Sequence, residues 1–359
     1  GTLFRNQETT MKTTRTIVSA LAAAATLSLG AAQAQEKVLN IYSARHYQTD
    51  EALYSGFTQT TGIKINRVEA DDAGIVSRLR AEGAASPADI VLMVDAARMA
   101  AADAQGLFQP IKSKKLDDTI PATLRAAPTA DGVTWTGFST RARIVIYDPA
   151  RVKAEDVATY EQLADPKLKG LLCTRSGSHP YNMSLFATVV ERLGDQKGEA
   201  WLKGLVDNQA RAPKGGDTDQ IRGVASGECG VAIANSYYMA RILKSDKPED
   251  KAVAAKVKVV FPNQGTTGTH VNIAGAAVAK HAKNRDSAIA FMEYLASPAA
   301  QKYFADGNNE FAAAKGVKLD NPALQAMGGE HFKLETVPLA AVAKNLTKVQ
   351  QMLDRVGYK

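Results

Sequence analysis

Two tyrosines stand side by side in NSYYMARIL, Asn235 to Leu243, and a third stands upstream in SGSHPYNMSL, at Tyr181. Adjacent tyrosines are ordinarily packing residues. On a strand they point to opposite faces, and in mid-helix they diverge by roughly 100°. These three differ because each lies where a strand-like run hands over to a helical pattern. Gly230 to Ala234 reads as a strand ending at Asn235, with a helix opening near Tyr237. The segment KGLLCTRSGSHPYNMSLFATVVERLG repeats that plan, and its helix opens near Tyr181-Asn182. At such a junction the backbone changes direction, so successive side chains can enter one crevice. The carboxyl ends of strands are also where open α/β sheets bind ligands. Phenols gathered there offer hard oxygen donors. Their ordinary pKa is near 10, and a metal ion at bonding distance favours the charged form.

Other side chains have the chemistry to join such a site. In RARIVIYDP, Ile144 and Ile146 face one way on a strand, and Arg141, Arg143, Val145 and Tyr147 face the other. Two arginines on one strand face need anions or water beside them. The Ser176-Gly177-Ser178 loop precedes a helix and offers backbone N–H groups to an anion. Asn235 adds an amide donor. His179 lies close enough to Tyr181 to support it, whereas His270, His281 and His331 read as structural or surface residues. Tyr42, Tyr54 and Tyr294 fall inside elements and read as packing. Ser176 or Ser178 beside His179 evokes a nucleophile and base, but no Gly-x-Ser-x-Gly elbow is present and sequence neighbours seldom form a working triad. A hydrolase therefore ranks below a binding protein.

The elements that must position these groups alternate along the chain. VLNIYSA (Val38–Ala44), IKINRVEA and ADIVLMVD read as strands, each followed by a helical pattern. KVKVVFPNQGTTGTHVNIAGAAVAKHA returns two strands through a Gly/Thr-rich crossover. NRDSAIAFMEYLASPAAQKYFADGN is two helices broken at Pro298, and LAAVAKNLTKVQQMLDRVG is a further helix. This is an α/β chain with largely parallel sheets.

The beginning of the sequence carries its own signal. From Met11, Lys12 and Arg15 precede a short apolar run, Ile17 to Leu29, and Ala32-Gln33-Ala34 is a small-residue cleavage pattern. That is the pattern of a secretory signal peptide, so residues 1–34 are expected to be absent from the exported protein. No Cys follows the cleavage pattern, and a lipid anchor is not indicated. Removing three basic residues and one acidic residue lowers the formal net charge from +7 to +5. The basic residues are scattered, which disfavours nucleic acid as a partner. The remaining length suits two domains or one two-lobed body. Cys173 lies eight residues before Tyr181, and Cys229 eight before Tyr237. On neighbouring parallel strands the two would be level and could form a disulfide, which export permits. The alternative is a pair of buried free thiols.

YSARHYQTDEAL, RSGSHPYNMSL, GECGVAIANSYYMARI, GTHVNIAGAAVAKHAKN and SPAAQKYFA, taken in order, resemble the periplasmic ferric-ion-binding proteins of bacterial ABC importers. The resemblance spans the exported chain, and its most specific part is the doubled tyrosine after Asn together with the upstream tyrosine of PYN. It implies a two-lobed type II periplasmic binding protein, each lobe a mainly parallel sheet flanked by helices, joined by a two-strand hinge. RARIVIYDP and GTTGTHVNIAG resemble the crossing strands. The lobes would be residues 35–140 with 268–318, and residues 141–267 with 319–359. The resemblance further implies that Tyr181, Tyr237 and Tyr238 ligate Fe(III). In the first βα loop, Arg45-His46-Tyr47, it implies that His46 and Tyr47 are ligands, or that an anion such as carbonate takes their place. The Glu that some relatives use has no secure counterpart at Asp71 or Asp72. The implied partner is an inner-membrane ABC permease, and the implied protein is a periplasmic monomer.

The chemistry agrees with that implication. A hard trivalent cation favours anionic oxygen over thiolate. Three phenolates neutralise it, and a fourth donor or an anion leaves the site negative, with Arg45, Arg141 and Arg143 as counter-charges. An oxyanion-binding protein of the same fold would instead use Ser, Thr and backbone N–H groups, and a polyamine-binding one would need several carboxylates.

Overall fold

The structure is a computed structural model that describes residues 36–45, 47–329 and 331–359. The signal-peptide reading and His46 lie outside the described residues. Parallel strands β1 (Val38–Ser43), β2 (Lys64–Glu69) and β3 (Ile90–Val94) alternate with helices α1 (Asp50–Thr61), α2 (Asp72–Glu82) and α3 (Ala96–Ala104). Helix α1 buries Leu53, Tyr54 and Phe57 on one stripe and stops at Gly62, whose φ of 74° is a left-handed cap that glycine adopts without strain. After β4 (Phe108–Gln109) and α4 (Lys114–Thr119) comes β5 (Trp135–Tyr147).

Strand β5 organises the molecule. Its first part, Trp135 to Ala142, pairs antiparallel with β9 (Val271–Ala279); its second, Arg143 to Tyr147, pairs with β7 (Val231–Asn235) and, from Val145 on, with β8 (Lys258–Val260). The full order is β2-β1-β3-β9-β5-β7-β6, with β6 (Leu172–Cys173) parallel to β7. One half of the molecule is therefore built on β1, β2, β3 and β9, and the other on β6, β7 and β8. The expected strand at Arg141 to Tyr147 is only the second half of a thirteen-residue element, every residue of which is buried. Elements lie over both faces, so alternation does not separate a wet side from a dry one, and Arg141 and Arg143 are as buried as Ile144. Parallel pairing holds at the two ends of the sheet, and the centre is antiparallel where the crossing strands meet. The chain crosses back between β8 and β9 over residues 261–270. Tyr160 bridges the two crossings: its hydroxyl donates to Arg143 O at 2.6 Å and accepts from His270 N at 3.0 Å.

The second half carries α5 (Pro180–Leu193), α6 (Asp195–Asp207), α7 (Asp217–Ser226), α8 (Ser236–Lys244) and α9 (Pro248–Lys256). After β9 follow α10 (Arg285–Leu295), α11 (Pro298–Asn308), β10 (Phe311–Ala312), α12 (Pro322–Ala326) and α13 (Ala340–Val356). Helix α13 packs against α5, α6 and α3. The chain's last two residues then tuck under the loop before α5: Gly177 N donates to Lys359 O at 2.7 Å. A Cβ on Gly177 would meet the Tyr358 ring at 2.6 Å, so glycine is what lets the tail seat there.

Cys173 and Cys229 are disulfide-bonded, with Cα atoms 5.9 Å apart, and both are fully buried. The two are not level on neighbouring strands as expected: Cys173 ends β6 in register with Ala232, and Cys229 lies two residues before β7, so the bond ties the end of β6 to the entry of β7. It closes a 56-residue separation, for which the chain-entropy account gives roughly 4 kcal/mol as an upper figure. The Cys173→Ala/Cys229→Ala double variant is expected to lose up to that much stability in chemical denaturation. Thiol titration of the unreduced, denatured protein should find no free thiol, and two free thiols would refute the pairing in the exported chain.

Candidate metal centre

Strand β7 ends at Asn235 and α8 begins at Ser236; β6 ends at Cys173 and α5 begins at Pro180. Since β6 and β7 are parallel neighbours, both helices start on the same edge of the sheet. Pro180 occupies the first helical position, and His179 caps α5, its Nδ1 accepting from Tyr181 N at 3.2 Å. The consequence is a meeting of phenols. Tyr237 Oη donates to Tyr181 Oη at 3.2 Å, and the Tyr237 and Tyr238 rings lie 4.3 Å apart between centroids at an interplanar angle of 31°. Tyr237 is 3% exposed, while Tyr181 and Tyr238 are half-buried. Tyr47 comes from the other half, half-buried, with the Arg45 guanidinium 4.4 Å above its ring. A charge on Tyr47 would favour the charged form of Arg141 and oppose that of Tyr237.

Cations surround these rings. Arg141 lies 4.9 Å from the Tyr237 ring, Arg175 lies 5.2 Å from Tyr181, and Arg241 lies 5.2 and 5.5 Å from Tyr237 and Tyr238. Burial raises the pKa of Tyr181, and that of Tyr237 further, against the pull of Arg141 toward the phenolate. The neighbouring phenols push Tyr237 the same way as burial, because adjacent phenolates repel. Without a cation the cluster is thus held neutral, and a cation is what would ionise it. Among the described residues no group of three or more His, Cys, Asp or Glu side chains is placed to hold a metal ion, and the donors gathered here are phenol oxygens.

The expected counter-charges separate into three kinds. Arg141 is 1% exposed and bonds Glu310 Oε2 at 3.0 Å through Nη2, while its Nε and Nη1 are buried without a partner. Two unanswered donors beside phenols are suited to phenolate or anion oxygens. Arg45 is bound to Asp50 at 2.7 Å and to Glu310 at 2.8 Å, with Nη1 unpartnered. Arg143 departs from the expectation. Its terminal nitrogens bond Asp217 at 2.6 Å, Asn235 Oδ1 at 3.0 Å and Asn182 Oδ1 at 2.6 Å, so it ties β5 to β7, α5 and α7 as a structural ion pair. Asn235 uses its carbonyl oxygen on Arg143 and leaves Nδ2 buried and unpartnered, available as the expected donor.

The Ser176 loop also departs. Ser176 Oγ pairs with Ser178 Oγ at 3.2 Å, Gly177 N bonds Lys359 O, and His179 N bonds Ser176 O at 3.2 Å. The Gly177 and His179 N–H groups are thus satisfied inside the protein, which leaves fewer of the loop's donors for an anion.

Several residues that build the site gave no sign in the sequence. Glu310 is buried and accepts from Arg45, Arg141 and the Ser139 hydroxyl. Burial opposes its charge, yet Arg45 and Arg141 prevail and hold its carboxyl below the usual range. Asp217 accepts from Arg143, from Arg175 Nη1 at 3.3 Å and from Asn235 N at 2.8 Å. Asp95, at the end of β3, has φ 94° and is buried; its Oδ1 accepts from Ser184 Oγ at 3.0 Å, one turn beyond Tyr181 on α5. Burial pushes the Asp95 carboxyl up to about 6.

The family model of bacterial extracellular solute-binding proteins matches residues 52–328. Iron uptake protein A1 of Synechocystis sp. is 44% identical over 325 residues, covering 90% of this chain and 88% of that protein. Iron uptake protein A2 of the same organism is 46% identical, covering 91% and 92%. Among solved structures, a Trichodesmium protein (IdiA, FutA) in complex with iron and citrate ligands superimposes with a TM-score of 0.84. It is 45% identical, over 90% of this chain and 100% of that one. The model match and the length of these alignments place the chain in the family of bacterial extracellular solute-binding proteins.

Proposed function

We propose that this protein is a periplasmic Fe(III)-binding protein that captures ferric ion on tyrosine phenolates and delivers it to an inner-membrane ABC permease. The observation that carries the reading is the contact of the Tyr181 and Tyr237 hydroxyls, with the Tyr238 ring tilted against that of Tyr237 and Arg141 beside it. Relatives named for iron uptake, and one solved with iron and citrate, support it. Tyr181, Tyr237 and Tyr238 are the ligands from one lobe, residues 141–267 with 319–359. Tyr47 and His46 complete the sphere from the other, residues 35–140 with 268–318. Alternatively, carbonate or another anion does so on the free donors of Arg141. The ion displaces the phenol protons, and Arg141 stabilises the resulting negative charge. The protein is a monomer, carries out no catalysis, and has no helix among the described residues long and apolar enough to cross a membrane.

Addition of ferric ion to the metal-free protein is expected to give an orange to red complex, from phenolate-to-iron charge transfer. A colourless protein that retains no iron against a weak chelator would refute the reading. An oxyanion or polyamine ligand would leave the protein colourless. Because three of the ligands come from one lobe, that lobe loads first and the other closes over it. Small-angle scattering should then show a smaller radius of gyration after loading, unless the metal-free protein is already closed.

A further inference from the structure

We propose that Glu310 is a positioning residue of this metal centre: it fixes two guanidinium groups of one half of the molecule, Arg45 behind Tyr47 and Arg141 behind Tyr237, and it sets the charge that the bound ion meets. The inference rests on the ferric reading above.

Glu310 sits between α11 and β10 and is 1% exposed. One oxygen accepts from Arg45 Nη2 at 2.8 Å; the other accepts from Arg141 Nη2 at 3.0 Å and from the Ser139 hydroxyl. Each of these arginines lies against a different candidate ligand. Arg45 is 4.4 Å from the Tyr47 ring and Arg141 is 4.9 Å from the Tyr237 ring. One carboxylate therefore holds both cation–ring pairs in register across the two halves. Arg45 has a second carboxylate in Asp50, but among the described residues Glu310 is the one ion-pair partner of Arg141. Two buried guanidiniums face two buried carboxylates, and the cluster is neutral. Without the Glu310 charge it carries one uncompensated positive charge next to the phenols.

That charge distinguishes ferric from ferrous ion. A buried positive charge repels a trivalent ion more than a divalent one, and the difference is one unit of charge interaction in a medium of low dielectric constant. Glu310→Gln keeps the shape and removes the charge. It is expected to shift the ratio of ferric to ferrous retention toward ferrous by on the order of tenfold. Glu310→Asp keeps the charge but is one methylene shorter and cannot reach both guanidiniums. It should keep the native ratio to within about twofold while ferric affinity falls several-fold, as displaced ligand-backing groups require.

The experiment is competition for ferric and, anaerobically, ferrous ion between each protein and a chelator. Thermal melting of the metal-free proteins confirms that they are folded. A folded Glu310→Gln protein with the native ratio overturns the inference and leaves a purely structural role. Should Glu310→Gln fail to fold, native ferric affinity in Glu310→Asp overturns it instead. A native protein that retains no ferric ion overturns the ferric reading and this inference with it, whereas native retention beside unresponsive variants overturns the inference alone.

Discussion

Tyr237→Phe is expected to lose ferric binding and its colour while the protein stays folded. The substitution removes one oxygen and keeps the ring, so the packing against Tyr238, Arg141 and Arg241 survives. The hydrogen bond to Tyr181 disappears, a change of about 1 kcal/mol in the metal-free protein. For the ion the change is much larger. A pair of unit charges at 4 Å and an effective dielectric constant near 20 is worth about 4 kcal/mol, and a trivalent ion at bonding distance exceeds that. Affinity should fall by more than about a thousandfold. Tyr181→Phe and Tyr238→Phe should behave alike, since all three phenols act from one side. Tyr47→Phe and His46→Ala should be milder, because water or an anion on the free donors of Arg141 can take a position on the closing side. Chelator competition, the visible band and a thermal melt measure each variant. Tyr47→Phe without iron beside an unaffected Tyr237→Phe would show that the ligands had been assigned to the wrong residues.

The tyrosine cluster was legible because its cause is local. Each tyrosine lies in the first turn of a helix that follows a strand, Tyr237 directly after β7 and Tyr181 after a short loop beyond β6. The groups that hold the cluster in place were not legible, because their partners are remote. Arg45 reaches Glu310 across 265 residues, Arg143 reaches Asp217 across 74, and Ser184 reaches Asp95 across 89. No spacing rule joins such pairs. From sequence Arg143 is either a counter-charge of the site or one half of an ion pair, and the remoteness of Asp217 leaves that open. The beginning of β5 was missed for a different reason. Gly137 and Ser139 weaken the strand signal of TGFST, and a strand covered on both faces shows no alternation. The partner of Gly177 N in the Ser176 loop is again hidden from the sequence by its remoteness: it is Lys359 O, 182 residues away.

Acid should release the iron steeply, whereas the same phenols in the metal-free protein respond to pH in the opposite sense. In the metal-free state burial raises Tyr181 and Tyr237 above the ordinary tyrosine pKa. Above about pH 10 the unfolded chain ionises these phenols first, so the native state binds more protons and its stability falls as pH rises. Asp95, raised to about 6, acts in the same direction at lower pH: between about 4 and 6 the native state holds its proton and the unfolded chain does not. Ferric ion reverses the balance at the phenols. The loaded native state has lost the protons of Tyr181, Tyr237 and Tyr238, while the unfolded chain keeps them below pH 10. The loaded state then binds fewer protons, and its stability rises with pH and is lost on acidification. Three phenols exchanged for one ion correspond to about three protons released, which the single carboxyl of Asp95 cannot offset. A His46 ligand would add a further step near its ordinary pKa of about 6.5. Potentiometric titration during loading, with a buffered chelator to fix free ferric ion, reads the proton count directly. A count near zero, or a red complex that persists unchanged at strongly acidic pH, would rule out phenolate ligation.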